Sequence, residues 1–125
     1  MISSVRMRAA LRYLHSPDIP DLASFQPTEA DNFGFLLQIL VGPQEGVGEE
    51  SFDVMVCTPR WLIENHSPED ILAGRHMLIM FQYDYRRLER FIQARITTVS
   101  GESWQDIANQ LARLAHWEFE GYRAQ

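Results

Sequence analysis

Apolar and polar residues alternate along two segments in the first third of the chain. Residues 5–14 have an apolar face at Val5, Met7, Ala9, Leu11 and Tyr13 and an opposite, basic face at Arg6, Arg8, Ala10 and Arg12. Residues 33–41 are apolar at every odd position. This period of two predicts two half-buried strands, with a proline-broken loop between them. The basic row is expected to be solvated or to pair with acids across the sheet.

A turn-rich acidic segment follows the second predicted strand. Residues 42–50 contain three glycines, one proline and the glutamates Glu45, Glu49 and Glu50. Apolar residues then alternate again over 52–57, where Phe52, Val54 and Val56 share one face. This arrangement predicts a hairpin whose long connecting loop is acidic.

Hydroxyl residues followed by proline mark two helical turns after the third predicted strand. Thr58-Pro59 is typical of a helix start, with an N-cap residue before a proline in the first helical position, and predicts a short helix over 59–64 that carries Trp61. Ser67-Pro68-Glu69-Asp70 repeats this signal, and Gly74 ends the turn. The apolar run 77–81 fits a central strand covered on both faces, and it also fits a buried helix.

Two amphipathic helices are predicted in the last third of the chain. The first covers about 85–98 and stops near Gly101. The second begins at Ser103, with Asp106 three residues later as in a capping box, and runs to about Tyr122. The expected fold is α+β: a mostly antiparallel sheet of about four strands, with both helices on one face and short helical turns after the third strand. We expect one domain over 1–125.

The register of the last predicted helix singles out two residues. Its apolar stripe comprises Trp104, Ile107, Ala108, Leu111, Leu114, Ala115, Phe119 and Tyr122. Glu118 falls within this stripe, so its carboxylate either pairs with Arg95 of the preceding helix, bonds a backbone amide or lies at the edge of the stripe. Trp117 points to the polar side, where it is covered within the protomer, covered by a second subunit or part of a partner site.

The composition narrows the class of protein. The net charge of −6 argues against general nucleic-acid binding and suits docking on a basic partner, although it also fits a role in solubility alone. The single cysteine, Cys57, excludes an intramolecular disulfide and is expected to be a small buried apolar residue. We expect a cytoplasmic protein, because the sequence has neither a membrane span nor the apolar core of a signal peptide.

No combination of residues supports an enzyme. The four histidines form no metal-ligand pattern with Cys57, and His116 with Glu120 would supply only two ligands of a zinc site. The serines lack the context of a nucleophile elbow. The glycines of 42–48 lack the Gly-Lys-Ser/Thr of a phosphate loop. We expect no catalysis, no metal and no cofactor.

Four segments resemble immunity protein family 8 of bacterial polymorphic toxin systems. They are the Phe-rich strand ending in Val41-Gly42-Pro43, residues 52–62, residues 101–104 and the terminal stretch 117–122. The resemblance spans about residues 5–122. The segments Thr58-Pro59-Arg60-Trp61-Leu62 and Trp117-Glu118-Phe119-Glu120 are its most specific parts, whereas Gly121 replaces an expected acidic residue.

The resemblance implies a protein that is made beside a toxin and protects the producing cell by binding it. Such toxins are often nucleases, whose basic clefts suit an acidic inhibitor. The motif residues expected to hold the fold are Thr58, Pro59, Trp61, Arg95, Trp104, Trp117, Glu118, Phe119 and Tyr122. The candidate contacts to the toxin are Glu45, Glu49, Glu50, Glu64, Glu69 and Asp70. We expect no direct contact with nucleic acid or membrane, and leave homo-oligomers open.

A second hypothesis belongs to a different class of function. A small-ligand-binding or regulatory domain would hold its ligand in a pocket between the sheet and the helices. An apolar cavity lined by a few polar groups would favour this alternative.

Overall fold

The structure, a computed structural model, describes residues 6–117. In this range the strands are β1 (Met7–His15), β2 (Gly34–Pro43), β3 (Glu50–Cys57), β4 (Met77–Ile79), β5 (Ser100–Gly101) and β6 (His116–Trp117). The helices are α1 (Pro59–Asn65), α2 (Tyr85–Thr97) and α3 (Trp104–Leu111). The sheet order is β4-β3-β2-β1-β5, and β6 also pairs with β3. The α+β class is confirmed, whereas the sheet has more strands than predicted.

The hairpin of β2 and β3 forms the centre of the sheet. Its antiparallel register places Phe35 opposite Val56, Leu37 opposite Val54 and Ile39 opposite Phe52. All six side chains are almost completely buried, and burial of each such side chain contributes roughly 1.5–3 kcal/mol. The alternation read from the sequence therefore predicts this hairpin correctly.

Strand β1 departs from the predicted alternation at its middle. The pairing with β2 shifts register between Leu11 and Tyr13, so the extra residue, Arg12, reverses the faces of the residues after it. Leu14 then lies opposite the buried Ile39, and Tyr13 is 51% exposed. The prediction that Tyr13 shares the apolar face is wrong because of this bulge.

Helix α1 is held by Thr58 in the way that the Thr-Pro signal predicts. The buried Oγ1 of Thr58 accepts hydrogen bonds from the backbone N–H of Trp61, at 3.2 Å, and of Phe33, at 3.1 Å. Pro59 occupies the first turn, where no intrahelical donor is needed. The indole of Trp61 packs against Gly34, where an added Cβ would lie 2.3 Å from Cε2. The cap thus fixes α1 onto β2.

The segment between α1 and α2 contains a turn at residues 67–70, and the apolar run that follows it differs from the predicted central strand. Residues 67–70 make a hydrogen-bonded turn, with the Asp70 N–H donating to the Ser67 carbonyl at 2.9 Å. Strand β4 runs parallel to β3 at the edge of the sheet. Ile79 is 52% exposed and Phe81 is 74% exposed. The prediction of a central strand covered on both faces is therefore wrong. Among residues 6–117, β4 pairs with β3 alone and so lies at an edge, and these two exposed side chains are not covered.

Both later helices begin where they are predicted to begin. Asp84 caps α2, whose buried side chains are Leu88, Ile92 and Ile96. Ser103 caps α3 by accepting from the Asp106 N–H at 3.2 Å, and the Asp106 carboxylate accepts from the Glu102 N–H at 3.1 Å. The faces of both helices join the core formed with the hairpin.

The last helix is shorter than predicted. Helix α3 ends at Leu111, and the chain turns so that Trp117 in β6 pairs with Phe52 of β3. The predicted helical register therefore does not apply to Trp117, which is only 3% exposed. Its ring stacks on that of Phe52 with centroids 6.2 Å apart, so coverage within the protomer is confirmed.

Three predicted motif residues, Glu118, Phe119 and Tyr122, lie outside the described residues, and so does the proposed Arg95–Glu118 pair. Arg95 does not belong to the buried stripe of α2: it is exposed and lies 5.7 Å from the centroid of the Phe91 ring. In the described part of the chain, no helix has the length and apolar character needed to cross a membrane.

Candidate partner-binding surfaces

Arg12 fixes the acidic loop between β2 and β3. Its Nη2 donates to the carbonyls of Pro43, at 2.6 Å, and of Gly46, at 3.1 Å. The side chain crosses Gly42 so closely that a Cβ there would lie 2.7 Å from the Arg12 Nε. Arg12 thus donates to carbonyl oxygens and positions the loop, so the prediction that it is solvated or pairs with acids is wrong.

The three glutamates of this loop have different surroundings. Glu45 is exposed. Glu49 is also exposed and accepts from the Tyr13 hydroxyl at 3.2 Å, and its charge raises the pKa of Tyr13. Glu50 is half-buried, and its carboxylate accepts from the Nε1–H of Trp104 at 2.8 Å and from that of Trp117. Glu45 and Glu49 therefore present their charge to solvent, while Glu50 joins parts of the fold.

A second acidic group surrounds the start of α1. The exposed guanidinium of Arg60 pairs with Glu29, with Asp31 at 3.1 Å and with Glu64 at 3.3 Å. The hydrogen bond to Asp31 and the charge of Glu29 are the main causes that raise the pKa of Arg60. The side-chain amide of Asn32 also donates to Glu64 at 2.7 Å. Three carboxylates share one cation here, so the surface keeps a negative charge.

The turn after α1 extends this acidic surface. The Asp70 carboxylate accepts from the Ser67 N–H at 2.9 Å and lies 3.4 Å from His66 Nδ1. Glu69 is exposed beside it. The apolar side chains of Ile63 and Ile71 are largely exposed in the same stretch. Apolar contact area with a charged rim is the usual composition of a protein-binding surface.

The two acidic groups lie at opposite ends of the central hairpin. The β2–β3 register runs from Gly34 opposite Cys57, beside α1, to Val41 opposite Glu50, beside the acidic loop. At ~3.3 Å per residue the two ends are roughly 23 Å apart. The sequence-predicted contacts thus form two separable surfaces: the loop surface (Glu45, Glu49) and the α1 surface (Glu64, Glu69, Asp70).

An apolar groove lies between β4 and α2 that the sequence reasoning missed. Its volume is about 380 Å³, and its lining is Met77, Leu78, Ile79, Met80, Arg87, Leu88 and Phe91. The apolar run 77–81 is the sequence signal for this groove, although the pattern by itself predicts a covered strand. Apart from Arg87, the lining side chains offer none of the convergent polar groups that orient a small ligand. The groove therefore fits a protein contact better than the small-ligand alternative.

His76, His116 and Cys57 contact other residues of the fold. His76 and His116 come together with ring centroids 5.7 Å apart, and the Nε2 of His76 lies 2.8 Å from the Ala112 carbonyl oxygen. Within residues 6–117, no group of three or more His, Cys, Asp or Glu side chains is arranged to hold a metal ion. Cys57 is fully buried as predicted, and burial raises the pKa of its thiol.

The two acidic surfaces, the apolar groove and the buried core define a small α+β protein that exposes both acidic and apolar surfaces. The family model of Immunity protein 8 matches residues 9–122, and the chain therefore belongs to the Immunity protein 8 family. The resemblance seen in the sequence motifs is thereby confirmed. No curated protein and no solved structure matches the chain.

Proposed function

We propose that this protein binds a cognate bacterial toxin and neutralises it by forming a stoichiometric complex. The observation that carries the proposal is membership of the Immunity protein 8 family over residues 9–122. Proteins of this kind are inhibitors rather than catalysts, and a complex with the toxin accounts for protection without any catalytic group. The chain would thus act as a binding protein.

We further propose that the toxin is a nuclease whose basic cleft contacts the acidic surfaces. The net charge of −6 and the solvent-facing carboxylates of the loop surface and the α1 surface support this proposal. Charge complementarity of this kind speeds association and selects partners. Glu50 is expected to act from within the fold, since its carboxylate already accepts from two indoles.

Co-expression tests the function itself. The toxin domain encoded beside this gene is expressed in a sensitive host together with this protein. We expect growth to be rescued and the two proteins to purify together. Growth arrest despite abundant folded protein would contradict the proposed function.

Carbodiimide cross-linking tests the acidic contacts. This chain has 11 arginines and no lysine, so its carboxylates can couple to lysines of the toxin but to no lysine of the same chain. We expect cross-links from Glu64, Glu69 or Asp70, or from Glu45 or Glu49. A complex that forms without cross-links from either surface would remove the acidic surfaces from the contact.

Charge reversal then separates the two acidic surfaces. A Glu64→Lys/Glu69→Lys/Asp70→Lys variant is compared with a Glu45→Lys/Glu49→Lys variant in association-rate measurements at low salt. The variant on the contacting surface should associate at least about tenfold more slowly, because electrostatic steering is lost. Equal rates for both variants and the unchanged protein would exclude steering by these acids.

A further inference from the structure

Within residues 6–117, the outer edge of β4 has main-chain groups that pair with no other strand. The His76 carbonyl accepts from the Met55 N–H at 3.0 Å, and the Met80 N–H donates to the Cys57 carbonyl at 2.9 Å. Because bonding direction alternates along a strand, the N–H and C=O groups of Met77 and Ile79 point away from β3. Among the described residues, β3 is the only strand that pairs with β4. A further strand could bond to these groups.

The apolar groove runs along this free edge. Phe91 of α2 is 46% exposed and stands on the helical side of the groove, with Arg87 and Leu88 beside it. Ile79 is half-exposed on the strand side. Strand addition to a sheet needs two features: an unpaired strand edge, whose main-chain bonds give affinity, and open side-chain pockets, which give specificity. The edge of β4 and the apolar groove supply both.

The helix beside the groove is basic although the chain is acidic. Four arginines lie on α2, at positions 86, 87, 90 and 95, against Glu89 and the capping Asp84. Arg87 lies 3.5 Å from the Asp84 carboxylate. Arg87 itself lines the groove, and the exposed guanidinium of Arg95 lies 5.7 Å from the centroid of the Phe91 ring, which also lines it. Acidic side chains would be favoured next to this helix.

We propose that the edge of β4 receives an extended segment of the cognate toxin, which adds to the sheet as a strand and turns apolar and acidic side chains towards α2. This inference rests on the proposed function. It adds a contact with the toxin at the edge of β4 to those proposed for the loop surface and the α1 surface. A second copy of this chain fits the edge less well. Antiparallel pairing of two β4 strands about a two-fold axis would bring the two basic α2 helices side by side.

Hydrogen exchange in the purified complex tests strand addition directly. Exchange at single amides is compared between the free protein and its complex with the toxin domain. We expect the outward amides of Met77 and Ile79 to slow at least about tenfold, because they gain main-chain bonds. The Met80 amide, already bonded to Cys57, serves as the internal reference. A stable complex with unchanged exchange at Met77 and Ile79 would overturn the inference and leave the proposed function intact, whereas absence of any complex would overturn both.

A pair of variants at Ile79 separates main-chain pairing from side-chain contact. Ile79→Pro removes an N–H that points away from β3, which an edge strand tolerates, and Ile79→Thr keeps it. Once circular dichroism shows that both are folded, we expect the proline variant to bind the toxin about tenfold or more weakly than the threonine variant. Equal affinities would contradict strand addition.

Two further experiments test whether the edge of β4 binds a second copy of this chain and whether the bound toxin segment is acidic. Native mass measurement of the free protein is expected to show a monomer, and a dimer abolished by Ile79→Pro would assign the edge to self-association and overturn the proposal. An Arg87→Glu variant, which reverses the charge of the arginine that lines the groove, should bind the toxin at least about tenfold more weakly at low salt than Arg113→Glu, a single charge reversal in the turn after α3. Equal binding would remove the acidic character of the toxin segment.

Discussion

Glu50 lies at the end of the acidic loop, where it connects three elements of the fold. It begins β3, and its carboxylate accepts from Trp104 of α3 and Trp117 of β6. The two indole partners are 54 and 67 residues away in the sequence. No local pattern distinguishes Glu50 from Glu49, so the sequence predicts an exposed loop acid, whereas the structure shows a tertiary acceptor.

Glu50→Gln should lower the free energy of unfolding by about 1–3 kcal/mol, because hydrogen bonds to a charged acceptor are lost or weakened in a half-buried site. Glu45→Gln makes the same chemical change on an exposed loop residue and should leave stability unchanged. Urea denaturation measures both. Equal midpoints for the two variants would contradict the role assigned to Glu50.

Tyr83 provides a pH-dependent prediction at the same scale. Its hydroxyl donates to the Leu22 carbonyl at 2.6 Å, and its ring lies 5.0 Å from that of Phe25 by centroids. Burial, followed by the nearby Tyr85 and Asp21, raises the pKa of Tyr83 to about 12. Well below pH 10 the hydroxyl is protonated in both the folded and the unfolded state. As pH rises from 10 towards 12, the unfolded chain loses this proton first, so stability falls.

The measurement is the free energy of unfolding against pH in the unchanged protein and in Tyr83→Phe. The unchanged protein should lose stability more steeply above pH 10 than the variant, and its absorbance titration should contain a late tyrosine step that the variant lacks. Parallel stability curves for the two proteins would show that the pKa of Tyr83 is not raised by folding.

For whole strands and helices, local sequence signals predict where an element begins and which strands pair better than they predict where an element ends. The odd-position pattern of β2 and the caps of α1 and α3 are sequence-local, and all appear as predicted. The end of α3 is not local. Apolar residues continue beyond Leu111 with helical spacing, but pairing of Trp117 with Phe52 decides the outcome. The exposed edge of β4 likewise depends on which strands become its neighbours, which an apolar run does not specify.

The hydroxyl of Thr58 both caps α1 and binds the backbone N–H of Phe33, the residue before β2. Thr58→Val keeps the shape but leaves the N–H groups of Phe33 and Trp61 without their acceptor, and should cost about 2–3 kcal/mol. Thr58→Ser keeps the hydroxyl and should cost less. Thermal unfolding compares the two. A serine variant no more stable than the valine variant would show that packing of the methyl group, not the hydroxyl, holds α1.

On the scale of the whole molecule, charge is distributed unevenly over a stable core. Carboxylates dominate the loop surface and the α1 surface, and arginines dominate α2 beside the apolar groove. Composition predicts the net acidity and the family motifs predict a binding protein. The groove and the free edge of β4 emerge only when distant segments pack. A protein arranged in this way is suited to bind one partner in a fixed orientation.

The central claim is that the protein neutralises a toxin by binding it, and a titration of the toxin's activity tests this claim most directly. A purified candidate toxin domain is mixed with increasing amounts of this protein, and both remaining activity and complex formation are measured. Stoichiometric neutralisation predicts that activity falls linearly to zero at a fixed molar ratio, at which the free toxin disappears into the complex. Full toxin activity in the presence of a molar excess of folded protein would contradict the account.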